Sequence, residues 1–69
     1  MRISARNQLA GRVTAVRIGN VMAEITIDIG SGKLLTSAIT RGSAEALGLK
    51  EGDDVIAIIK STEIIVGKE

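Results

Sequence analysis

Alternating apolar and polar residues, separated by glycines, dominate the first forty positions of the chain. In residues 21–29 every second side chain is apolar, and acidic, hydroxyl or thioether side chains lie between them. This period of two predicts a strand with one buried face. Residues 11–18 and 34–40 predict two further strands, and the pair Gly19-Asn20 indicates a turn because both residues tolerate positive φ.

The period changes after the third predicted strand. Small and apolar residues then recur at helical spacing, which predicts a helix of about two turns with Ser43 as its N-cap and Gly48 at its C-terminal end. Residues 55–59 form an apolar run rich in β-branched residues and predict a fourth strand. The stretch "EIIVG", residues 63–67, predicts a short fifth strand.

The predicted element order is therefore β-β-β-α-β-β. Five strands with one short helix between the third and fourth predict an all-β fold, a five-stranded OB-like Greek-key barrel. A small SH3-like barrel is the structural rival. The strands around Leu35, Ile39, Ile56 and Ile58 carry apolar residues on both faces, and a barrel has only one interior. We therefore expect the outward set to form a subunit interface.

Composition strengthens the expectation of an oligomer. The chain has 69 residues, so we expect a single domain over residues 1–69, with a core of marginal size. Domains this small usually gain stability from disulfides, a metal ion or a partner subunit. Cys and His are both absent, which removes disulfides and the commonest ligands of zinc and copper. A homo-oligomer remains as the source of additional stability.

The same composition argues against several functional classes. Without His, Cys or Tyr the chain lacks the usual nucleophiles and general bases, so we do not expect an enzyme. Without aromatic residues it cannot stack bases, and a net charge of +1 is too small for a phosphate-backbone binder, so no nucleic-acid partner is expected. No apolar stretch reaches the length of a membrane span, and a cytoplasmic protein is the expectation.

Two polar clusters remain as candidate sites, because the "EGDD" and "GSGK" stretches are interpreted as solvated turns. The first cluster is "SARNQ" at residues 4–8, and the second is "KST" at residues 60–62. Both offer hydroxyl groups, cations and backbone N–H groups, which suit an anion with several oxygens and do not suit a bare metal ion. Taken singly, each also has a structural explanation, as strand capping and as a solvated lysine.

The order of these clusters resembles the molbindin (Mop) family of small molybdate-binding proteins. The resemblance extends over nearly the whole chain, through "SARNQL", "TSAIT", "LGLKEGD" and "AIIKST". It implies an OB-like barrel of the TOBE type assembled as a hexamer, a trimer of dimers, with oxyanion sites between subunits. It also implies a free-standing domain without an attached DNA-binding or ATPase unit.

The family pattern implies two kinds of site. The residues that would line the first are Ser4, Ala5, Arg6, Thr40, Lys60 and Ser61, with Ala5 giving a backbone N–H group. The arm residues would come from one subunit and the lysine and its following serine from a neighbour. Candidates for a second site near the symmetry axis are Asn7, Gly19, Asn20 and Val21.

The implied ligand is molybdate, a tetrahedral dianion whose metal is already enclosed by oxygens. A site for it needs convergent donors and no metal ligands, and tungstate would be a surrogate because its size is nearly the same. The implied role is cytoplasmic molybdenum storage and homeostasis. The alternative is an oligomerisation or effector-sensing module without a storage role.

Overall fold

Antiparallel strands form most of the regular structure, as the alternating pattern predicts. The computed structural model describes all 69 residues, Met1–Glu69. Four strands form one sheet in the order β3-β2-β1-β4, and one helix lies between the last two strands in sequence. The elements are β1 (Asn7–Ile18), β2 (Met22–Asp28), β3 (Leu34–Thr40), α1 (Arg41–Leu47) and β4 (Asp54–Ile59).

Strand β1 is the longest element and pairs with two neighbours. Its first half pairs with β4 and its second half with β2, both antiparallel. Arg12 lies where the two pairings overlap, opposite both Asp28 and Asp54. The sheet curls into a half-barrel in which β3 and β4 each keep one unpaired edge.

The core lies on the concave side of this sheet and is small. Only five residues are buried, and all are aliphatic: Val13, Ala23, Ile25, Ile27 and Ala44. Three of them come from β2, whose inward face was predicted from its alternation. In β1 a register shift between Val13 and Ala15 interrupts the alternation. Strict alternation from Val13 would turn Arg17 toward the core. Because the register shifts, Val16 packs against the core instead, together with Val13.

The helix begins earlier than its spacing predicts. The N-cap is Thr40, not Ser43: Thr40 has an extended backbone, and its hydroxyl accepts a hydrogen bond from the Ser43 N–H at 3.0 Å. Ser43 therefore lies in the first turn of the helix. The C-terminal prediction is confirmed, because Gly48 adopts the left-handed conformation with φ 61°.

The predicted five-stranded barrel is wrong in its last strand. Residues Ser61–Glu63 form one 3₁₀ turn, and the residues that follow have no strand partner. In this segment Ile65 is 94% exposed and Val66 is 89% exposed. Side-chain pattern alone suggests a strand there, but a strand exists only where another backbone pairs with it.

The predicted limits of the other strands differ from the structure by a few residues. Strand β1 begins at Asn7, four residues before the predicted start, because its polar first residues pair with β4. Strand β2 is shorter than predicted by one residue at each end. The single α-helix spans seven residues, and no helix is long and apolar enough to cross a membrane.

A wide cleft separates the two unpaired edges. It has a volume of about 1840 Å³ and is lined by residues of both β3 and β4, and 15 of its 25 lining residues are hydrophobic. A closed barrel would fill this space with its own strands, whereas here the space between β3 and β4 is open to solvent.

Candidate functional site

The antiparallel pairing of β1 with β4 brings the two predicted polar clusters to one end of the sheet. Asn7, the first residue of β1, lies opposite Ile59, the last residue of β4. Residues 4–6 enter this end and residues 60–61 leave it. We call residues 4–6 the arm. The long-range register therefore places both clusters beside each other within one chain.

The arm has free hydrogen-bond donors. Ser4 and Arg6 are exposed, and Ala5 is half-buried. None of the backbone N–H groups of these residues makes a hydrogen bond within the chain. Three consecutive unpaired N–H groups, with a hydroxyl and a guanidinium beside them, provide the donors that an anion with several oxygens requires.

The opposite cluster has its carbonyl groups occupied. The Lys60 carbonyl accepts a hydrogen bond from the Glu63 N–H at 2.9 Å, and the Ser61 carbonyl accepts a weaker one from the Ile64 N–H at 3.4 Å. The 3₁₀ turn therefore engages the backbone oxygens that would repel an anion. The Lys60 and Ser61 side chains remain exposed.

Charge is unevenly compensated over the chain. Four of the nine cations have a carboxylate within ion-pair distance: Arg12, Arg17, Arg41 and Lys50. Arg6 and Lys60 have none. Two cations at one end of a sheet without a carboxylate partner repel each other, and an anion placed between them relieves this repulsion.

Arg2, an exposed cation two residues before the arm, was not among the predicted site residues. It also lacks a carboxylate partner and lies just before the arm. A signal for it exists in the sequence, because the first carboxylate of the chain is Glu24, after four arginines.

Thr40 lies at the other end of the sheet. It is opposite Met22, and the N–H of the next residue, Arg41, donates to the Val21 carbonyl at 2.8 Å. The Thr40 hydroxyl is also within hydrogen-bond distance, 2.7 Å, of the Ser43 hydroxyl. Thr40 is exposed but is separated from Lys60 by the length of β1.

The candidates for a second site are divided in the same way. Gly19, Asn20 and Val21 form the predicted turn between β1 and β2, where the Gly19 N–H donates to the Met22 carbonyl at 2.8 Å. Asn7 lies at the opposite end of β1, and its side-chain amide donates to the Ile59 carbonyl at 3.3 Å. The structure thus groups the turn with Thr40 and groups Asn7 with the arm.

The two stretches interpreted as turns are turns. In "GSGK" the Lys33 N–H donates to the Gly30 carbonyl at 3.0 Å, and Asp28 accepts from the Gly30 N–H at 2.8 Å. In "KEGDD" the Asp53 carboxylate accepts from the Lys50 N–H at 3.0 Å, which lowers the pKa of Asp53 below its usual value. No group of three or more acidic residues is arranged to hold a metal ion.

Comparison with known proteins identifies the family of this fold and site. The TOBE domain family matches residues 3–66. The chain belongs to this family. This TOBE domain is 50% identical over 66 residues to molybdenum-pterin-binding protein 3 of Clostridium pasteurianum, covering 96% of this chain and 97% of that protein. It is 45% identical to a probable molybdenum-pterin-binding protein of Haemophilus influenzae over the full length of both.

The same domain also occurs within longer proteins. The TOBE domain is 41% identical over its whole length to the molybdenum transport protein ModE of Azotobacter vinelandii, of which it covers 26%. These relatives are named for binding or transport and not for catalysis. The resemblance to the molbindin (Mop) family is confirmed.

Solved structures agree with the half-barrel. MopII from Clostridium pasteurianum superimposes with a TM-score of 0.92 at 43% identity, covering 97% of this chain and all of that one. A molybdate-binding protein from Sporomusa ovata gives 0.92 at 44% identity, covering 99% of this chain and all of that one. The cytoplasmic molybdate-binding protein ModG, with molybdate bound, gives 0.84 at 43% identity, covering 88% of this chain and 43% of that one.

Proposed function

We propose that this TOBE domain is a cytoplasmic protein that binds molybdate for molybdenum storage and homeostasis. The observation that carries the proposal is the end of the sheet where Arg6 and Lys60, both without carboxylate partners, flank unpaired backbone N–H groups. The relatives named for molybdenum and the molybdate-bound structure of ModG support the choice of anion.

The donor set suits a tetrahedral dianion. Arg6 supplies a planar fork of N–H groups, Lys60 supplies a compact positive charge, and the hydroxyls of Ser4 and Ser61 add neutral donors. Each charge-assisted hydrogen bond contributes about 1.5–3 kcal/mol net. Several of them reach micromolar affinity, about −8.2 kcal/mol, after the cost of ordering is subtracted. Cavity size would separate molybdate from sulfate, because charge and shape are alike.

The complete set of site residues requires more than one copy of the chain. Thr40 lies at the far end of β1 from Arg6 and Lys60, and one small anion cannot contact both ends. A second copy that brings its Thr40 to this end would complete a site of Ser4, Ala5, Arg6, Thr40, Lys60 and Ser61. Binding would then be linked to assembly.

The apolar surface supports assembly as a homo-oligomer, proposed as a hexamer built from three dimers. Large apolar side chains are exposed over much of the chain, among them Val21, Leu34, Leu47, Ile56, Ile58, Ile65 and Val66. Together with the open cleft, this surface is more than a stable monomer of this size leaves uncovered. A second anion site at an axis of such an assembly is proposed at the turn 19–21. Asn7, the other candidate for that site, lies at the opposite end of β1, where its side-chain amide donates to the Ile59 carbonyl.

Replacement of Lys60 tests the proposal. In Lys60→Ala we expect molybdate affinity to fall about ten- to a hundredfold, because one charge-assisted contact is lost. Isothermal titration calorimetry with molybdate, and then with sulfate, measures this. The matched control is Lys33→Ala, which removes another lysine without a carboxylate partner, in a turn away from the site. Equal affinities of the two variants would contradict the proposed role of Lys60.

The alternative function is an oligomerisation or effector-sensing module without a storage role. The similarity to ModE of Azotobacter vinelandii favours this alternative, because the matching region is only 26% of that longer transport protein. Equilibrium dialysis separates the two functions. A pure scaffold takes up no molybdate in a saturable manner, whereas a storage protein retains several ions per assembly.

A further inference from the structure

The Gln8 side chain folds back onto the arm. Gln8 is the second residue of β1, and its amide nitrogen Nε2 donates a hydrogen bond to the Ala5 carbonyl at 2.7 Å. This is the only hydrogen bond that holds the arm to the rest of the chain. The bond is solvent-exposed, and a bond of this kind contributes little to overall stability.

The bond fixes the direction of a peptide group. The chain has no cis peptide bond, so the Ala5 carbonyl and the Arg6 N–H point in opposite directions. Because Gln8 holds the carbonyl on its own side, the Arg6 N–H points away from Gln8. That N–H has no other partner in the chain.

We propose that Gln8 is a positioning residue for oxyanion binding, an inference that rests on the proposed function. By holding the Ala5 carbonyl, Gln8 keeps a carbonyl oxygen from facing the dianion and presents the Arg6 N–H to it. The Arg6 N–H is then a second backbone donor to the anion beside the Ala5 N–H, which also has no partner in the chain. Without Gln8 the peptide group rotates freely, and binding must supply the cost of ordering it.

The neighbouring asparagine has a related but separate task. Asn7 donates to the Ile59 carbonyl, immediately before Lys60, and so ties the start of β1 to the end of β4. Asn7 therefore adds a side-chain link between two strand ends that the backbone already pairs, and Gln8 orients the arm. Two of the four donors in residues 4–8 thus act on the protein backbone and not on the ligand.

The test compares Gln8→Met with a matched control. Methionine keeps the length of the side chain and removes its donor. The control is Thr14→Val, which removes another exposed side-chain hydrogen bond of β1, from the Thr14 hydroxyl to the Thr26 carbonyl at 3.4 Å, away from the arm. Thermal melting of both variants reports stability, and calorimetry with sodium molybdate reports affinity.

We expect the two variants to melt at similar temperatures and to differ in binding. Gln8→Met should bind molybdate about five- to tenfold more weakly than Thr14→Val, the loss expected for one hydrogen bond. In nitrogen-15 correlation spectra the Arg6 amide resonance should move on addition of molybdate in the wild type and move less in Gln8→Met. A purely structural role would leave this response unchanged.

The arm itself has a readout that is independent of the ligand. Trypsin should cut after Arg6 faster in ligand-free Gln8→Met than in Thr14→Val, because the arm is no longer held. If affinity, amide response and cleavage are the same in both variants, the inference is overturned. If the wild type takes up no molybdate, it is the proposed function that fails. In that case trypsin cleavage still tests the contact, because equal cleavage rates of Gln8→Met and Thr14→Val would show that Gln8 does not hold the arm.

Discussion

At the scale of single residues, the presence or absence of a partner distinguishes structural side chains from candidate ligands. Arg12 and Arg17 point to carboxylates on neighbouring strands, and Lys50 is paired within its own turn. Arg6 and Lys60 carry the same charge without such a partner. Exposed ion pairs contribute about 0–1 kcal/mol, so the pairs are weak. Arg6 and Lys60 differ from these paired cations in that no carboxylate lies within ion-pair distance of either side chain.

Asp53 gives a prediction for the dependence of stability on pH. Its pKa is lowered, first by the hydrogen bond from the Lys50 N–H. The stability that its ionised form contributes is therefore complete above the unfolded pKa, about 3.9, and is lost as the pH falls through the lower folded value. In Asp53→Asn this part of the acid dependence should disappear, because asparagine still accepts the hydrogen bond but does not titrate.

Urea unfolding at a series of pH values between about 2 and 7 measures the effect. The matched control is Asp54→Asn, at the neighbouring exposed carboxylate of β4. If Asp53→Asn retains the full slope of stability below pH 4, Asp53 is not the titrating group.

At the scale of elements, β1 decides the architecture because it pairs with two strands. This twelve-residue strand pairs with β4 up to Arg12 and with β2 from Arg12 onward, and Gly11 lies next to the residue where the partner changes. A Cβ atom there would lie 2.6 Å from Ile27 Cγ2 and 2.7 Å from the Asp28 carbonyl oxygen. The absence of a side chain lets β2 cross this close to β1.

Gly11→Ala should therefore destabilise the chain by about 1–3 kcal/mol, because backbone and core side chains must move apart. Urea unfolding of the variant measures this. The same substitution at Gly42, inside α1, meets nothing within 4 Å and should stabilise the chain by about 0.5–1 kcal/mol through helix propensity. Stability changes of the same sign at both positions would refute the close approach at Gly11.

Thr40 is both the N-cap of the helix and one of the predicted site residues, and it gives a second prediction at this scale. Thr40→Val removes the hydroxyl that accepts from the Ser43 N–H, which should cost about 1 kcal/mol of unfolding free energy. Thr40→Ser keeps that oxygen and should restore both the stability and, where Thr40 contacts the anion, the affinity. Thermal melting and molybdate calorimetry of the pair separate the two roles; a stable Thr40→Val variant would contradict the capping role.

At the scale of the whole molecule, the chain buries few residues and leaves many large apolar side chains exposed to solvent. Only five of 69 residues are buried, and a wide cleft separates the edges of β3 and β4. A core of this size offsets the entropy of ordering the chain only marginally. The remaining apolar surface favours contacts with further copies.

This surface predicts that stability depends on protein concentration. The melting temperature should rise with chain concentration, and rise further with molybdate, because both act by mass action on an assembled folded state. Ile56→Lys places a charge on the outward side of β4, where the isoleucine is 49% exposed, and should remove the dependence on concentration. Native mass spectrometry reports subunits and ions together. A melting temperature independent of concentration in the wild type would exclude stabilisation by assembly.

The sequence alone determined the features that depend on nearby residues. The strand pattern of β2 and β3 and the C-cap at Gly48 follow from side-chain period and backbone preference, and the structure confirms them. The chain also turns at Gly19-Asn20 as predicted, but neither residue has positive φ, so the turn does not depend on the preference that predicted it. The sequence also determined the family, because short motifs typical of that family occur in it in the family's order. The types of donor in residues 4–8 and 60–62 already indicated an anion with several oxygens.

Tertiary structure alone decided the features that depend on a distant partner. The start of β1, the bulge after Val13 and the unpaired state of residues 64–69 follow from which backbone lies opposite which. The same holds for Gln8, whose amide turns to the Ala5 carbonyl and not outward. The period of apolar residues predicts which face of a strand is buried. A hydrogen bond also needs a partner at a fixed distance, and only the folded chain brings that partner into place.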